Sequence, residues 1–171
     1  MKRILIILLG FMVLTSCGGV DTASSEVEKN ISECGGFEER AVFNFKAYSE
    51  EMSCDQLVIW KYNKTEKVLN IVNQDVRLNC CGEHDIKIEK TEENIKYTMI
   101  DNPDHGARCD CMCYYDYSAD IGNVSGTEIN LSVFTDVAEN EGTENVWEGK
   151  IDLSEGSGII VVKERSGEMC R

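Results

Sequence analysis

The sequence predicts an all-β fold, an antiparallel β-sandwich of about eight or nine strands, with an open β-barrel as the alternative. Apolar and polar residues alternate with a period of two over many short segments, as in strands that bury one face. Turn-forming residues separate these segments, and no stretch shows the 3.6-residue periodicity of an amphipathic helix. The chain has 171 residues, 42% of them hydrophobic, which fits one folded domain and argues against intrinsic disorder.

The first seventeen residues predict export and a lipid anchor. Lys2 and Arg3 precede a run of eleven mostly apolar residues that ends in Leu14-Thr15-Ser16-Cys17. A helix of that length is roughly 16 Å long, too short for a bilayer core of about 30 Å, so residues 1–16 are expected to be a cleaved signal peptide. The last four residues resemble the lipobox of bacterial lipoproteins. This resemblance implies that Cys17 becomes the first mature residue and carries acyl chains such as palmitate; an ordinary signal peptide with an incidental cysteine is the alternative.

The mature chain is predicted to be acidic and to begin with a tether. Without residues 1–16 it has 15 Lys and Arg against 31 Asp and Glu, a formal charge of about −16, which argues against nucleic-acid binding. Residues 17–33 are expected to be the lipidated Cys17 and a flexible tether, followed by a single β-sandwich domain over residues 34–171. Gly18 stands where Asp marks inner-membrane retention in the proteobacterial lipoproteins that the lipobox resembles. An outer-membrane lipoprotein is therefore expected, on either the periplasmic or the surface side.

Strands are predicted in chain order wherever one parity is apolar. The first alternates over residues 43–47, and the second is the apolar and aromatic run from Leu57 to Tyr62. Two segments follow, Val68 to Val72 and Val76 to Cys80. The polar Asn73-Gln74-Asp75 between them predicts a turn or a bulge.

The second half of the chain continues the same pattern. The clearest hairpin runs from Ile86 to Met99, with a turn at Thr91-Glu92-Glu93-Asn94. A run of single parity from Cys109 to Ile121 predicts one long strand, and Ile129 to Val133 predicts the next. A closing hairpin is predicted from Val146 to Val162 through a Ser- and Gly-rich turn.

Cysteine is the residue type that carries the chemistry of this sequence. Eight of the nine cysteines remain after Cys17, namely Cys34, Cys54, Cys80, Cys81, Cys109, Cys111, Cys113 and Cys170. An even number in an exported protein is typical of a disulfide framework. Eight cysteines allow about 105 pairings, so the connectivity stays open.

Strand geometry restricts which cysteines can pair. In an extended strand Cys109, Cys111 and Cys113 would share one face with about 6.6 Å between neighbours, which favours partners on other strands. Cys80 and Cys81 would point to opposite faces, so at most one of them is expected to join that face unless the backbone bulges. We expect one of this pair to bond one of the three. Further disulfide candidates are Cys34, Cys54 and Cys170.

A metal site is the alternative use of the same cysteines. Four thiolates from Cys81, Cys109, Cys111 and Cys113, or with Cys80 in place of Cys81, would match the ligand number that zinc prefers. The C-x-C-x-C spacing differs from the C-x-x-C of zinc knuckles, and an exported protein usually meets oxidant before metal, so disulfides are favoured. A thiol oxidoreductase with a reactive cysteine in the segment from Cys109 to Cys113 is a third hypothesis.

Sequence motifs of common enzymes are absent. The chain has no G-x-S-x-G, H-E-x-x-H, P-loop, G-x-G-x-x-G or C-x-x-C motif, so we expect no enzyme, no catalytic residue and no cofactor. His84 and His105 are expected to be loop residues, because each lies beside a glycine. Asp116 is expected to be a hydrogen-bonding residue at a strand end.

Two cysteine segments together resemble a pattern found in small bacterial secreted or lipoprotein β-domains of unknown function. The segments are Asn79-Cys80-Cys81-Gly82-Glu83 and the stretch from Cys109 to Asp116, which fit NCC…CxCxCxYD. The resemblance covers about two fifths of the chain, from Val68 to Val133, and implies no activity. Its odd number of cysteines keeps the metal or free-thiol hypothesis open. The expected function is a lipid-anchored, disulfide-stabilised binding or structural module of the cell envelope, with the membrane and an unknown protein or small ligand as partners.

Overall fold

The chain forms two packed β-sheets. The computed structural model describes residues 27–37, 55–102, 109–137 and 143–164. Within these ranges lie a short 3₁₀ helix, Leu153–Glu155, and nine strands. The strands are β1 (Val27–Ile31), β2 (Gln56–Asn63), β3 (Val68–Asn79), β4 (Glu83–Lys90), β5 (Asn94–Asn102), β6 (Met112–Ile121), β7 (Glu128–Val137), β8 (Thr143–Asp152) and β9 (Ser157–Lys163).

The strand order confirms the predicted β-sandwich. One sheet has the order β1-β6-β3-β2-β9 and the other β4-β5-β7-β8, and the two are not closed into a barrel. All neighbours are antiparallel except β5 and β7, which run parallel. The exception has a topological cause. Between β5 and β7 the chain crosses to the other sheet to form β6, so β7 re-enters in the direction of β5.

The core lies between the two sheets and follows the alternation seen in the sequence. In β7 the side chains of Ile129, Leu131 and Val133 are buried, while the residues between them are partly exposed. In β6 the buried set includes Tyr117 and Ile121 from the facing sheet. Each fully buried aliphatic side chain contributes about 1.5–3 kcal/mol relative to an exposed one, so this interdigitated layer is the main source of stability.

A β-bulge interrupts the longest strand. The two segments predicted on either side of Asn73-Gln74-Asp75 are parts of one strand, β3, whose register with β6 shifts between Asn73 and Val76. Asp75 has φ of 58°, in the left-handed region. Its backbone N–H donates to Oδ1 of Asp116 at 3.0 Å. The polar triplet is therefore the bulge that the sequence offered as one of two alternatives.

The predicted closing hairpin is wrong. β8 pairs with β7 in the four-stranded sheet, whereas β9 pairs with β2 in the five-stranded sheet. The 3₁₀ helix carries the chain between the sheets and ends at Gly156, which has φ of 77°. Alternation alone does not distinguish a hairpin from two strands that belong to different sheets.

The segment assigned to the tether contributes a strand. Val27–Ile31 form β1, which pairs with β6 at the edge of the five-stranded sheet. Its three central residues are exposed, so it lacks the apolar parity that identifies a buried strand. The predicted signal peptide, Cys17 and the strand at residues 43–47 lie outside the described residues.

Candidate functional site

Three disulfides lie together near the start of β6. They join Cys34 to Cys113, Cys80 to Cys111 and Cys81 to Cys109, and each pair has a Cα–Cα distance of 5.6 Å. All six cysteines in the described part of the chain are therefore paired. The three bridges fasten the N-terminal segment and the end of β3 to the beginning of β6.

Both members of the vicinal pair take part, so the expectation that at most one would do so is wrong. β3 ends at Asn79, and Cys80 and Cys81 lie in a bend that continues to Gly82, where φ is 146°. The alternating orientation of strand residues does not apply to this bend. β6 begins only at Met112, so Cys113 is in the strand while Cys109 and Cys111 precede it.

Asn79 holds the two cysteine segments side by side. Its Nδ2 donates to the carbonyl oxygen of Cys109 at 2.8 Å, and its Oδ1 accepts from the backbone N–H of Cys81 at 2.9 Å. The backbone N–H of Cys80 also donates to the carbonyl oxygen of Cys111 at 3.2 Å. Since one amide side chain can donate and accept at once, an asparagine before the two cysteines links both segments.

Sulfur atoms of two different disulfides are neighbours. The Sγ atoms of Cys80, Cys109 and Cys111 all lie within 4.8 Å of one another. Sγ of Cys109 lies 3.3 Å from Sγ of Cys111, although each is bonded to another cysteine. Cys111 is exposed and the other two are half-buried. We call these three sulfurs, together with Cys81, the sulfur cluster.

The ligand set expected for zinc differs from the sulfur cluster. Cys113, included in that set, is buried and bonded to Cys34, while Cys80 lies beside Cys109 and Cys111. A disulfide sulfur is not a thiolate, and thiolates are the form of cysteine that binds metal. Zinc binding by the sulfur cluster would therefore require its reduction first.

His84 lies in β4 and is not the loop residue expected from the sequence. Its ring centroid is 4.3 Å from that of Tyr115, and its Nδ1 is 2.6 Å from the hydroxyl oxygen of Tyr117. Its Nε2 is 4.0 Å from Oδ1 of Asp101, which is also buried. The signal for this inward orientation is in the sequence, because His84 shares its parity with Ile86 and Ile88.

Three tyrosines surround this histidine in the core. Burial raises the pKa of Tyr97 and, with the nearby Asp101 carboxylate, the pKa of Tyr115 and Tyr117. All three are therefore neutral phenols at neutral pH. The Tyr97 hydroxyl is buried without a hydrogen-bond partner among the described residues. With only 9% of the His84 side chain exposed, this group acts as a buried polar network and offers no route for a substrate.

Asp116 ties the bulge to the N-terminal segment. It is fully buried in β6, and its carboxylate accepts from the backbone N–H groups of Asp75 and Phe37, each at 3.0 Å. Its own backbone N–H donates to Oγ of Ser32 at 2.9 Å. Asp116 is thus a hydrogen-bonding residue as expected, but it lies within the strand and not at its end.

A surface groove offers space for a small molecule. Its volume is about 400 Å³, and residues from β2, β3, β7, β8 and β9 line it, among them Arg77, Val146 and Val162. Small-molecule sites typically have volumes of about 300–1,000 Å³. None of the site residues predicted from the sequence lines this groove.

Several predicted site residues cannot be placed relative to the sulfur cluster. Cys17, Cys54, Cys170 and His105 lie outside the described residues. Among the residues that are described, none belongs to a helix with the length and apolar character needed to span a bilayer. Comparison of the chain with protein-family models, with curated proteins and with solved structures found no match.

Proposed function

We propose that the protein is a lipid-anchored, disulfide-stabilised module of the bacterial cell envelope, with a binding or structural role toward an unidentified protein or small ligand. The observation that carries the proposal is the pairing of all six described cysteines at one end of the sandwich. Such pairing is typical of oxidising compartments outside the cytoplasm. The leader ending in Leu14-Thr15-Ser16-Cys17 supports the same location, with the outer membrane favoured.

The module is proposed to work without catalysis. The buried network around His84 supports this view, because its imidazole is enclosed by Tyr115 and Tyr117. The groove beside Arg77 supports a binding role, since it has the size of a small-molecule site. The formal charge of −14 for the whole chain argues against a nucleic-acid partner.

The lipid anchor is tested by replacing Cys17. We expect wild-type protein to partition with membranes and to incorporate radiolabelled palmitate, because the acylated cysteine inserts its chains into the bilayer. Cys17→Ser should lose the label and leave the membrane fraction, while a matched Ser16→Ala variant should keep both. A Cys17→Ser protein that still co-sediments with membranes would overturn the anchor.

Counting thiols tests the disulfide part of the proposal. Full-length protein purified without reductant is denatured and treated with an alkylating reagent, and the labelled peptides are mapped. We expect no label on any of the six described cysteines, since disulfide sulfurs do not react. Label on several of them in freshly purified protein would contradict the proposal.

Zinc binding by the reduced sulfur cluster is the second candidate function. It is favoured by the three Sγ atoms within 4.8 Å of one another, with Cys81 as the fourth sulfur through its bond to Cys109. Four thiolates would complete the tetrahedral shell of a structural zinc site. Stoichiometric zinc in protein purified anaerobically, without reductant or added metal, would favour this candidate over the disulfide module.

A further inference from the structure

We infer that the two neighbouring disulfides of the sulfur cluster form an exchange pair, which an external dithiol converts into a rearranged, partly reduced state. The inference goes beyond a structural module, because a cross-link needs no reactivity. It rests on one juxtaposition: Sγ of Cys111, bonded to Cys80, lies 3.3 Å from Sγ of Cys109, bonded to Cys81. A thiolate released at Cys111 would start within contact distance of a second disulfide.

The first step is reduction of the bridge between Cys80 and Cys111. Cys111 is exposed and its neighbour Met112 is 52% exposed, so a thiolate of the dithiol can attack Sγ of Cys111 from solvent. The Cys80 sulfur leaves as a thiolate and takes up a proton. The second thiol of the reagent then attacks its own mixed disulfide, which releases the Cys111 thiolate and a cyclic disulfide. The dithiol is oxidised by two electrons and the bridge is reduced by two.

The second step is exchange within the protein, with no further oxidant or reductant. The Cys111 thiolate attacks Sγ of Cys109, so that a bond between Cys109 and Cys111 forms and the bond between Cys81 and Cys109 breaks. The Cys81 sulfur leaves as a thiolate and is protonated by water. The product carries one new disulfide and two adjacent thiols, Cys80 and Cys81.

The surrounding structure keeps the reacting sulfurs together once the first bridge opens. Asn79 still links the backbones at Cys81 and Cys109, and the backbone bond from Cys80 to Cys111 does not depend on sulfur. Cys109 and Cys111 both precede β6, so their segment can adjust without breaking the β3–β6 ladder. By contrast, Cys113 lies within β6 and is buried, and its sulfur is not part of the cluster.

The wild-type protein provides the first test. Full-length protein in detergent has any initial thiols blocked with light N-ethylmaleimide and then receives one molar equivalent of dithiothreitol at neutral pH. Acid stops exchange, heavy N-ethylmaleimide labels the new thiols, and peptide mapping assigns thiols and disulfides. We expect heavy label on Cys80 and Cys81, with a disulfide between Cys109 and Cys111.

Every other pattern in this experiment overturns the inference. Label on Cys80 and Cys111 with the other bridge intact would show reduction without exchange. Label on Cys34 and Cys113, or no label on the sulfur cluster, would show that the cluster is not the reactive site. A urea-unfolded sample is the control, since without the native juxtaposition it should give a mixture of pairings.

A variant tests the exchange step without any reductant. Cys80→Ser leaves Cys111 without its partner, and the inference predicts that the single thiol shifts from Cys111 to Cys81 as the bond between Cys109 and Cys111 forms. Cys34→Ser is the matched control, in which the thiol should stay on Cys113. A thiol that stays on Cys111 in folded Cys80→Ser would contradict the inference, and the wild-type measurement decides the matter if that variant does not fold. The thiol count on untreated wild type tests the proposed module independently of both.

Discussion

Single side chains connect the cysteine segments as much as the disulfides do. Asn79 makes two hydrogen bonds across the gap between the end of β3 and the segment before β6. Asp116 makes two more between β6, the bulge and Phe37. The asparagine and the aspartate of the NCC…CxCxCxYD pattern therefore have structural roles that its cysteines alone do not explain.

Replacing Asn79 should weaken the cysteine end of the sandwich. A net contribution of about 0.5–1.5 kcal/mol per hydrogen bond predicts that Asn79→Ala lowers the free energy of unfolding by about 1–3 kcal/mol. Urea titration measures this change. Asn145→Ala is the control, because its side chain makes an exposed contact with Glu148 and should have little effect. Equal effects of the two substitutions would contradict the role given to Asn79.

The buried phenols give a second prediction at this scale. Tyr97→Phe removes a buried hydroxyl without a described partner, so the variant should be at least as stable as wild type. Tyr117→Phe removes the hydroxyl that contacts Nδ1 of His84 and should lose about 1 kcal/mol of stability. Thermal unfolding of the two variants at neutral pH compares them. A Tyr97→Phe variant that is the less stable of the pair would refute the assignment.

Residue roles were predictable only where strand parity holds. The inward orientation of His84 follows from its parity with Ile86, but the glycine nearby favoured a loop. The pairing of Cys80 and Cys81 was not predictable, because it depends on where β3 ends and the bend begins. A change of backbone conformation at one residue reverses the expected orientation of the next.

At the scale of elements, the disulfides differ in what they constrain. The bridge between Cys34 and Cys113 joins residues 79 apart, while the other two join residues 31 and 28 apart and close almost the same loop. A second cross-link on a loop that is already closed removes little additional entropy from the unfolded chain. The long bridge should therefore contribute more to stability than either of the nested ones.

Paired alanine variants test this difference. Cys34→Ala with Cys113→Ala should lower the free energy of unfolding by about 4 kcal/mol on the chain-entropy model. Cys81→Ala with Cys109→Ala should cost clearly less, since Cys80 and Cys111 still close the loop. Denaturant titration without reductant gives both values. A larger loss from the nested pair would contradict the entropic account.

Elements were predictable in proportion to how regularly they alternate. The hairpin of β4 and β5 is confirmed because alternation and a turn signal coincide there. β1 was missed because an exposed edge strand needs no apolar parity. The parallel pairing of β5 with β7 and the separation of β8 from β9 depend on which sheet each strand joins. That choice is made by tertiary packing and leaves no local signal.

At the scale of the whole molecule, two sheets supply the core and three disulfides secure one end of it. A domain of this size buries enough apolar surface to fold, so the bridges add to an existing core. They add a margin that is large against a typical total stability of about 5–15 kcal/mol. An exported module gains resistance to unfolding in this way without a bound metal.

Thermal unfolding of full-length protein, purified without reductant and compared with reductant or with a metal chelator, tests the central claim most directly. The account predicts that reductant lowers the melting temperature sharply, because it opens the bridges that restrict the unfolded chain. A chelator alone should leave the melting temperature unchanged. Collapse of the folded state on chelation, with stoichiometric zinc in the untreated protein, would contradict the disulfide account and establish a metal-dependent fold in its place.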